Sequence, residues 1–171
     1  MAKTNKLWLN KRVWLSLGIA VGIVAIDQLT KALALASLES YTRVSVLGDV
    51  LGWYLTFNDS AAFSIGFGAT WFFTGVSTLA VLAIIWFSPR MKTIGWSAAA
   101  GILLGGVAGN LVDRLTKSPG FPNGQVVDFI QIPFNFPIFN FADICISGVM
   151  IFAVVRILRG DKIGGVKPSH D

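Results

Sequence analysis

Two aspartates, Asp128 and Asp143, stand where a lipid bilayer tolerates carboxylates badly. Asp128 follows Val126-Val127 just outside an apolar stretch, and Asp143 lies inside that stretch, in Phe139-Asn140-Phe141-Ala142-Asp143. Two carboxyl groups suffice to hydrolyse a peptide bond. One, ionised, takes a proton from water; the other, protonated, polarises the carbonyl and later helps protonate the leaving amine. Close like charges in a low dielectric keep one proton on such a pair, which titrates as a unit with no fixed acid and base. Alone, Asp128 reads as an ordinary loop acid; its pairing with Asp143 raises it. Asp143 has no nearby basic residue in its own stretch to neutralise it.

The rest of the inventory narrows the chemistry. The single histidine, His170, is one residue from the C-terminus, which excludes a Ser/His/Asp triad or a Cys/His pair beside these acids. Zinc is disfavoured for want of imidazole or thiolate ligands, so no metal and no cofactor is expected. The single cysteine, Cys145, precludes an internal disulfide and falls on a different helical face from Asp143, where it packs. A Ser–Lys pair of Lys31 with Ser60 or Ser64 stays open as a second hydrolytic arrangement.

The elements that must position these groups are membrane spans. Of 171 residues, 54% are hydrophobic and 13% charged, more apolar surface than one soluble domain can hide. The mean hydropathy of +0.67 names lipid as the solvent. The chain reads as one integral membrane domain, 1–171, with an all-α polytopic fold. Apolar runs at about 13–36, 70–88, 94–113 and 138–158 are each long enough to cross the hydrocarbon as a helix. The first is too long, and too polar at its end, for a cleaved signal peptide. The net charge of +5 forms no basic stripe, so nucleic acid is not an expected partner.

Basic residues set the direction. Lys3, Lys6, Lys11 and Arg12 precede the first run, and Arg90 and Lys92 lie between the second and third. Arg156, Arg159, Lys162 and Lys167 follow the fourth. Both termini and the middle turn are therefore expected in the cytoplasm, with 37–69 and 114–137 outside. Trp14, Trp71, Trp86 and Trp96 fall near span ends, as an aromatic belt would place them. Outside, Arg43–Leu47 and Gly52–Phe57 carry the alternation of a strand pair, and Val126–Ile132 reads as extended after the turn cluster 118–125. A small β-rich cradle on the outer face is the expectation.

That topology gathers the polar groups in one outer slab. Asp27 and Lys31 form an i, i+4 pair; Asn110, Asp113 and Arg114 share a face at i, i+3, i+4; Asn140 and Asp143 share another. Facing inward, they build a polar pocket under the strands. Each also has a plainer reading. Asp27–Lys31 serves equally as a structural pair with a snorkelling lysine. Asp113-Arg114 would do to end the third span at the interface, and Asn110 and Asn140 to bond helix to helix. Gly101, Gly105 and Gly109, every four residues, are a close-packing stripe.

The blocks Asp27-Gln28-Leu29-Thr30-Lys31, Asn58-Asp59-Ser60-Ala61-Ala62-Phe63-Ser64, Gly105–Arg114, Val126-Val127-Asp128-Phe129 and Phe139–Asp143 resemble, in order, the motif series of the lipoprotein signal peptidases, the type II signal peptidases of bacteria. The resemblance covers most of the chain apart from the tails. It implies a four-span aspartyl endopeptidase of the bacterial cytoplasmic (inner) membrane, with its active site toward the outer face. The substrates would be diacylglyceryl-modified prolipoproteins, cut just before the lipidated cysteine, by a monomer working at the membrane lipid. Asp128 and Asp143 match the catalytic dyad. Asn58, Asn110, Arg114 and Asn140 match residues around the substrate backbone and the inhibitor globomycin, and Asp27, Lys31 and Asp113 match supporting positions. Ser60 departs from the family's usual glycine, where a turn with φ > 0 would strain a serine. Two rival functions use the same residues: a small transporter or ion channel with the acids as a cation path, and a non-enzymatic assembly factor with the polar faces on partner helices. A cation path must cross the bilayer, whereas these acids cluster at one side.

Overall fold

The computed structural model describes residues 11–59 and 70–164. Ser60, Ser64 and His170, with Lys3, Lys6 and Lys167, lie outside the described residues. Among the described residues, four helices are long and apolar enough to cross a membrane: α1 (Lys11–Ser37), α2 (Thr70–Phe87), α3 (Ile94–Thr116) and α4 (Phe141–Leu158). Their outer faces carry large apolar side chains, among them Val21, Leu79, Ile151 and Leu158. That is the pattern of helices solvated by acyl chains, where the backbone bonds within itself.

Helix α3 is the central one. It packs on α1, α2 and α4 and buries 56% of its apolar window, against 22%, 11% and 17% for the others. The glycine stripe explains how. A Cβ on Gly101 would lie 2.5 Å from the Ser16 carbonyl oxygen, and one on Gly105 2.5 Å from the Ile23 Cβ. Gly106 presents a second bare surface to α4, where a Cβ would lie 2.9 Å from the Ala142 carbonyl oxygen. Backbones approach this closely only where side chains are absent.

Among the described residues, three strands form an antiparallel sheet in the order β1 (Arg43–Leu47), β2 (Leu51–Asn58), β3 (Val126–Gln131). The expected strand pair is present; what the sequence left as a lone extended stretch is the third strand, paired on β2. The sheet caps the end of the bundle where α1 and α3 stop and α4 begins. Leu55, Val127 and Phe129 pack there with Ala34 of α1 in a small apolar core, and Trp53 lies against Phe129 with tilted rings, 5.8 Å between centroids. Because successive strand residues face opposite sides, Val127 and Phe129 in this core send Val126 and Asp128 to the other face. Residue 124 must be glycine for β3 to start where it does, since a Cβ would lie 2.6 Å from the Asp113 and Arg114 carbonyl oxygens.

Two span boundaries differ from the sequence reading by three residues, the others by two or fewer. The fourth helix begins at Phe141, not 138, because Phe139 pairs with Ile130 in extended conformation and Asn140 takes the N-cap. The third helix does not end at 113: it runs to Thr116, with Asp113 and Arg114 both buried inside the fold.

Candidate active site

Asp128 reaches the site from β3 and Asp143 from the first turn of α4. The connection between them is short. Phe139 bridges back to Ile130, its N–H donating to the Ile130 carbonyl (3.1 Å) and its carbonyl accepting from the Ile130 N–H (2.8 Å). That pairing delivers Asn140 beside Asp128. Asn140 then starts α4 with a capping box: its Oδ1 accepts from the Asp143 N–H (3.1 Å), and its own N–H donates to Asp143 Oδ2 (3.1 Å). The i, i+3 spacing of Asn140 and Asp143, read as two residues of one helical face, is thus an N-cap and its N3 partner.

The Asn140 amide nitrogen, its oxygen already committed to the cap, donates to Asp128 Oδ1 (2.6 Å) and to Asn110 Oδ1 (3.0 Å). Asn110 in turn donates through Nδ2 to Asp143 Oδ1 (2.9 Å). Asn58, at the end of β2 and diagonal to Asp128 across the ladder, donates to Asp128 Oδ2 (2.9 Å). Both oxygens of each aspartate therefore receive an N–H, and a single asparagine, Asn140, touches both residues.

A second polar cluster supports the first. The Lys31 ammonium, fully buried, lies 2.8 Å from Asp27 Oδ2, 2.8 Å from Asp113 Oδ2 and 2.9 Å from Asn110 Oδ1. Asp27 Oδ1 accepts from the Ala142 N–H in the first turn of α4 (3.1 Å), and Asp113 Oδ2 accepts from the Val127 N–H of β3 (3.2 Å). The pair thus holds the two segments that carry the aspartates. Gly109 makes room for it, since a Cβ there would lie 2.5 Å from Asp27 Oδ2. Arg114 donates to the Asn110 carbonyl (3.5 Å) and stands within electrostatic reach of Asp128, Asp143 and Asp113.

Asp128 and Asp143 both line one cavity of about 310 Å³ with Asn58, Asn110 and Arg114. Val107, Val126 and Ile146, with Val76, Ser77 and Ala80 of α2, make its less polar side. Burial pushes the Asp128 carboxyl up to about 7, and the charge of Asp143 adds to this; the Asn58 and Asn140 amides and the Lys31 charge pull it back. Such a carboxyl holds its proton near neutrality, beside a second carboxyl and in a space that admits a small polar group. Among the described residues no group of three or more His, Cys, Asp or Glu is arranged to hold a metal ion.

All nine residues singled out from sequence fall in these two linked clusters. Asn140 is fully buried, its amide spent on Asp128, Asn110 and the helix cap, so it orients the aspartates and does not face the cavity. Two contributions were missed. Gln28 donates to Asp27 Oδ2 (3.2 Å), the Gly109 carbonyl (3.2 Å) and Asp113 Oδ1 (3.1 Å); its place beside Asp27 was the available signal. Helix α2 also furnishes a wall of the cavity, signalled only by the polar row Thr70, Thr74, Ser77.

The family model for signal peptidase (SPase) II matches residues 19–159, and so includes every residue of both clusters. The chain belongs to the signal peptidase II family. Among relatives, a lipoprotein signal peptidase of Leifsonia xyli subsp. xyli is 42% identical over 147 residues, covering 86% of this chain and 68% of the relative. One from Mycolicibacterium smegmatis is 40% identical over 164 residues, covering 94% and 69%. A solved bacterial membrane enzyme, determined by the in meso method at 2.3 Å, superposes with a TM-score of 0.75 at 28% identity, covering 84% of this chain and 87% of that one. Membership makes this a multi-span membrane protease.

Proposed function

We propose that this signal peptidase II family member removes the signal peptide from diacylglyceryl-modified prolipoproteins, cutting before the lipidated cysteine, with Asp128 and Asp143 as an aspartyl dyad. The observation that carries the reading is the cavity that both carboxyls line, with Asn110 holding Asp143 from within it and Asn140 holding both from behind. Water bound between them loses a proton to the ionised carboxyl as its oxygen attacks the scissile carbonyl carbon. The protonated carboxyl hydrogen-bonds, then protonates, the carbonyl oxygen. Collapse breaks the C–N bond as the amine nitrogen takes a proton. A carboxyl that keeps its proton to about 7 suits the second role.

Asn58, Asn110 and Arg114 line the cavity and are the groups proposed to hold the substrate backbone; Asn140 positions the dyad from behind. Asp27, Lys31 and Asp113 hold the cavity floor. The less polar wall suits the small and apolar residues of a signal peptide, while the acyl chains stay in lipid and help fix the scissile bond. The bias of Lys and Arg in 11–12, 90–92 and 156–162 supports cytoplasmic termini, with the sheet and dyad on the outer face of the inner membrane. One chain supplies every group, so a monomer suffices. The buried charged residues fall in one connected cluster, which favours a reaction site over a cation path.

The test is cleavage of a diacylglyceryl prolipoprotein by purified protein in detergent or bilayers. Asp128→Asn and Asp143→Asn should each insert normally and release no signal peptide. Ordinary cleavage by either variant sinks the dyad.

A further inference from the structure

Two carboxylates, Asp27 and Asp113, already account for a buried ammonium at Lys31, yet its third bond goes to Asn110 Oδ1 at 2.9 Å. An ammonium can only donate. Asn110 must therefore turn its oxygen toward Lys31 and its nitrogen away, and that nitrogen donates to Asp143 Oδ1 at 2.9 Å. Asn140 acts in the same sense, donating to Asn110 Oδ1 at 3.0 Å. The Lys31 bond is the charge-assisted one, and a polarised amide donates more strongly at its far end. The other Asp143 oxygen accepts the Asn140 N–H at N3 of α4, where the helix dipole favours negative charge. Asp128 lies on a strand, with no helix dipole of its own.

We propose that Lys31 is a positioning residue: through the Asn110 amide it holds Asp143 as the ionised, proton-accepting member of the dyad and leaves the shared proton to Asp128. The proposal rests on the dyad reading above and makes the pair directional. Asp143 takes the proton of the attacking water as the water oxygen bonds to the carbonyl carbon, and the Asp128 proton passes to the carbonyl oxygen. In the collapse, Asp143 gives its proton to the leaving nitrogen as the C–N bond breaks. One hydroxyl of the intermediate returns a proton to Asp128, which restores the starting state. The charges around Asp143 are Asp27 and Lys31 from α1, Asp113 and Arg114 from α3, and Asp128 from β3. Arg114 also attracts Asp143. Lys31 also acts on Asp128 through its charge; the part that reaches Asp143 through the Asn110 amide is the part a mutant cycle isolates.

A double-mutant cycle tests this: wild type, Lys31→Met, Asn110→Ala and the double variant, with kcat and KM measured against pH on a diacylglyceryl prolipoprotein. Lys31→Met strands two buried carboxylates, so the cycle is repeated with Asp27→Asn and Asp113→Asn accompanying each change at residue 31. Lys31→Met should lower kcat at least about tenfold with KM changed less than about twofold. It should also move the acid limb of the kcat profile, which the dyad sets as a unit. In the Asn110→Ala background the same change should barely move the limb. An equal shift in both backgrounds would mean that Lys31 acts by its field alone and would overturn the proposal. So would an unmoved limb with only a smaller folded fraction. Cleavage by the Asp128→Asn or Asp143→Asn single variants would instead remove the dyad itself, a separate failure.

Discussion

Replacing Asp128 by asparagine should abolish cleavage and yet stabilise the protein at alkaline pH. The Asp128 carboxyl is 2% exposed and is raised from an ordinary 3.8 to about 7, first by burial and then by the charge of Asp143. A group whose folded pKa lies above its unfolded one contributes stability below the unfolded value, and that contribution is lost as pH rises through the folded value. Ionising Asp128 in place therefore costs the wild type about 4 kcal/mol of stability between pH 4 and pH 7. Asparagine escapes that cost, at a smaller one. Both Asp128 oxygens accept N–H donors, from Asn140 at 2.6 Å and Asn58 at 2.9 Å, so the new NH2 group must oppose one of them. Asn140 cannot turn, because its oxygen caps α4. Asn58 has to turn or lose its bond, at about 1–2 kcal/mol. The variant should thus gain about 2 kcal/mol net above pH 7, or about 4–8 °C in Tm. Below about pH 4 it should be the less stable of the two. Thermal unfolding in detergent across that range reads both signs. A Tm difference that stays constant with pH, or an asparagine variant less stable than wild type at alkaline pH, would refute the buried, proton-holding carboxyl.

Gly105→Leu should separate α1 from α3, because even its Cβ falls 2.5 Å from the Ile23 Cβ. A loss of about 1–3 kcal/mol, seen as a lower Tm with some loss of folded protein, is expected. Ala80→Phe projects a ring from α2 into the cavity without touching either aspartate's hydrogen bonds. It should raise KM for the lipidated substrate about tenfold or more while the acid and alkaline limbs of the pH profile stay where they are.

Local patterning was enough to read the solvent and the order of the elements. Four apolar runs need no partner to be legible, because hydrocarbon imposes length and hydrophobicity on each span separately. The strand pair before α2 could be read for the same reason, since alternation is a local property. The glycine stripe announced close packing, as Gly101 and Gly105 against α1 bear out. The polar residues of the two clusters were also legible, because a carboxylate or amide at membrane depth is costly enough to stand out alone.

Which atom faces which emerges only once the segments are packed together. Nothing local says that Phe139 pairs with Ile130, yet that bridge turns Asn140 from a helical residue into an N-cap that touches both aspartates. Asp113 and Arg114 could equally have ended a helix at the interface; their burial depends on Gly124 letting the turn cluster settle onto the end of α3. The direction of each amide was likewise beyond the sequence. It follows from the donors and acceptors that surround Asn110 and Asn140, contributed by α1, α3, β3 and α4 together. Hydropathy and periodicity report one segment at a time, whereas a hydrogen bond's direction is fixed by its partner, and here the partners lie up to 115 residues apart.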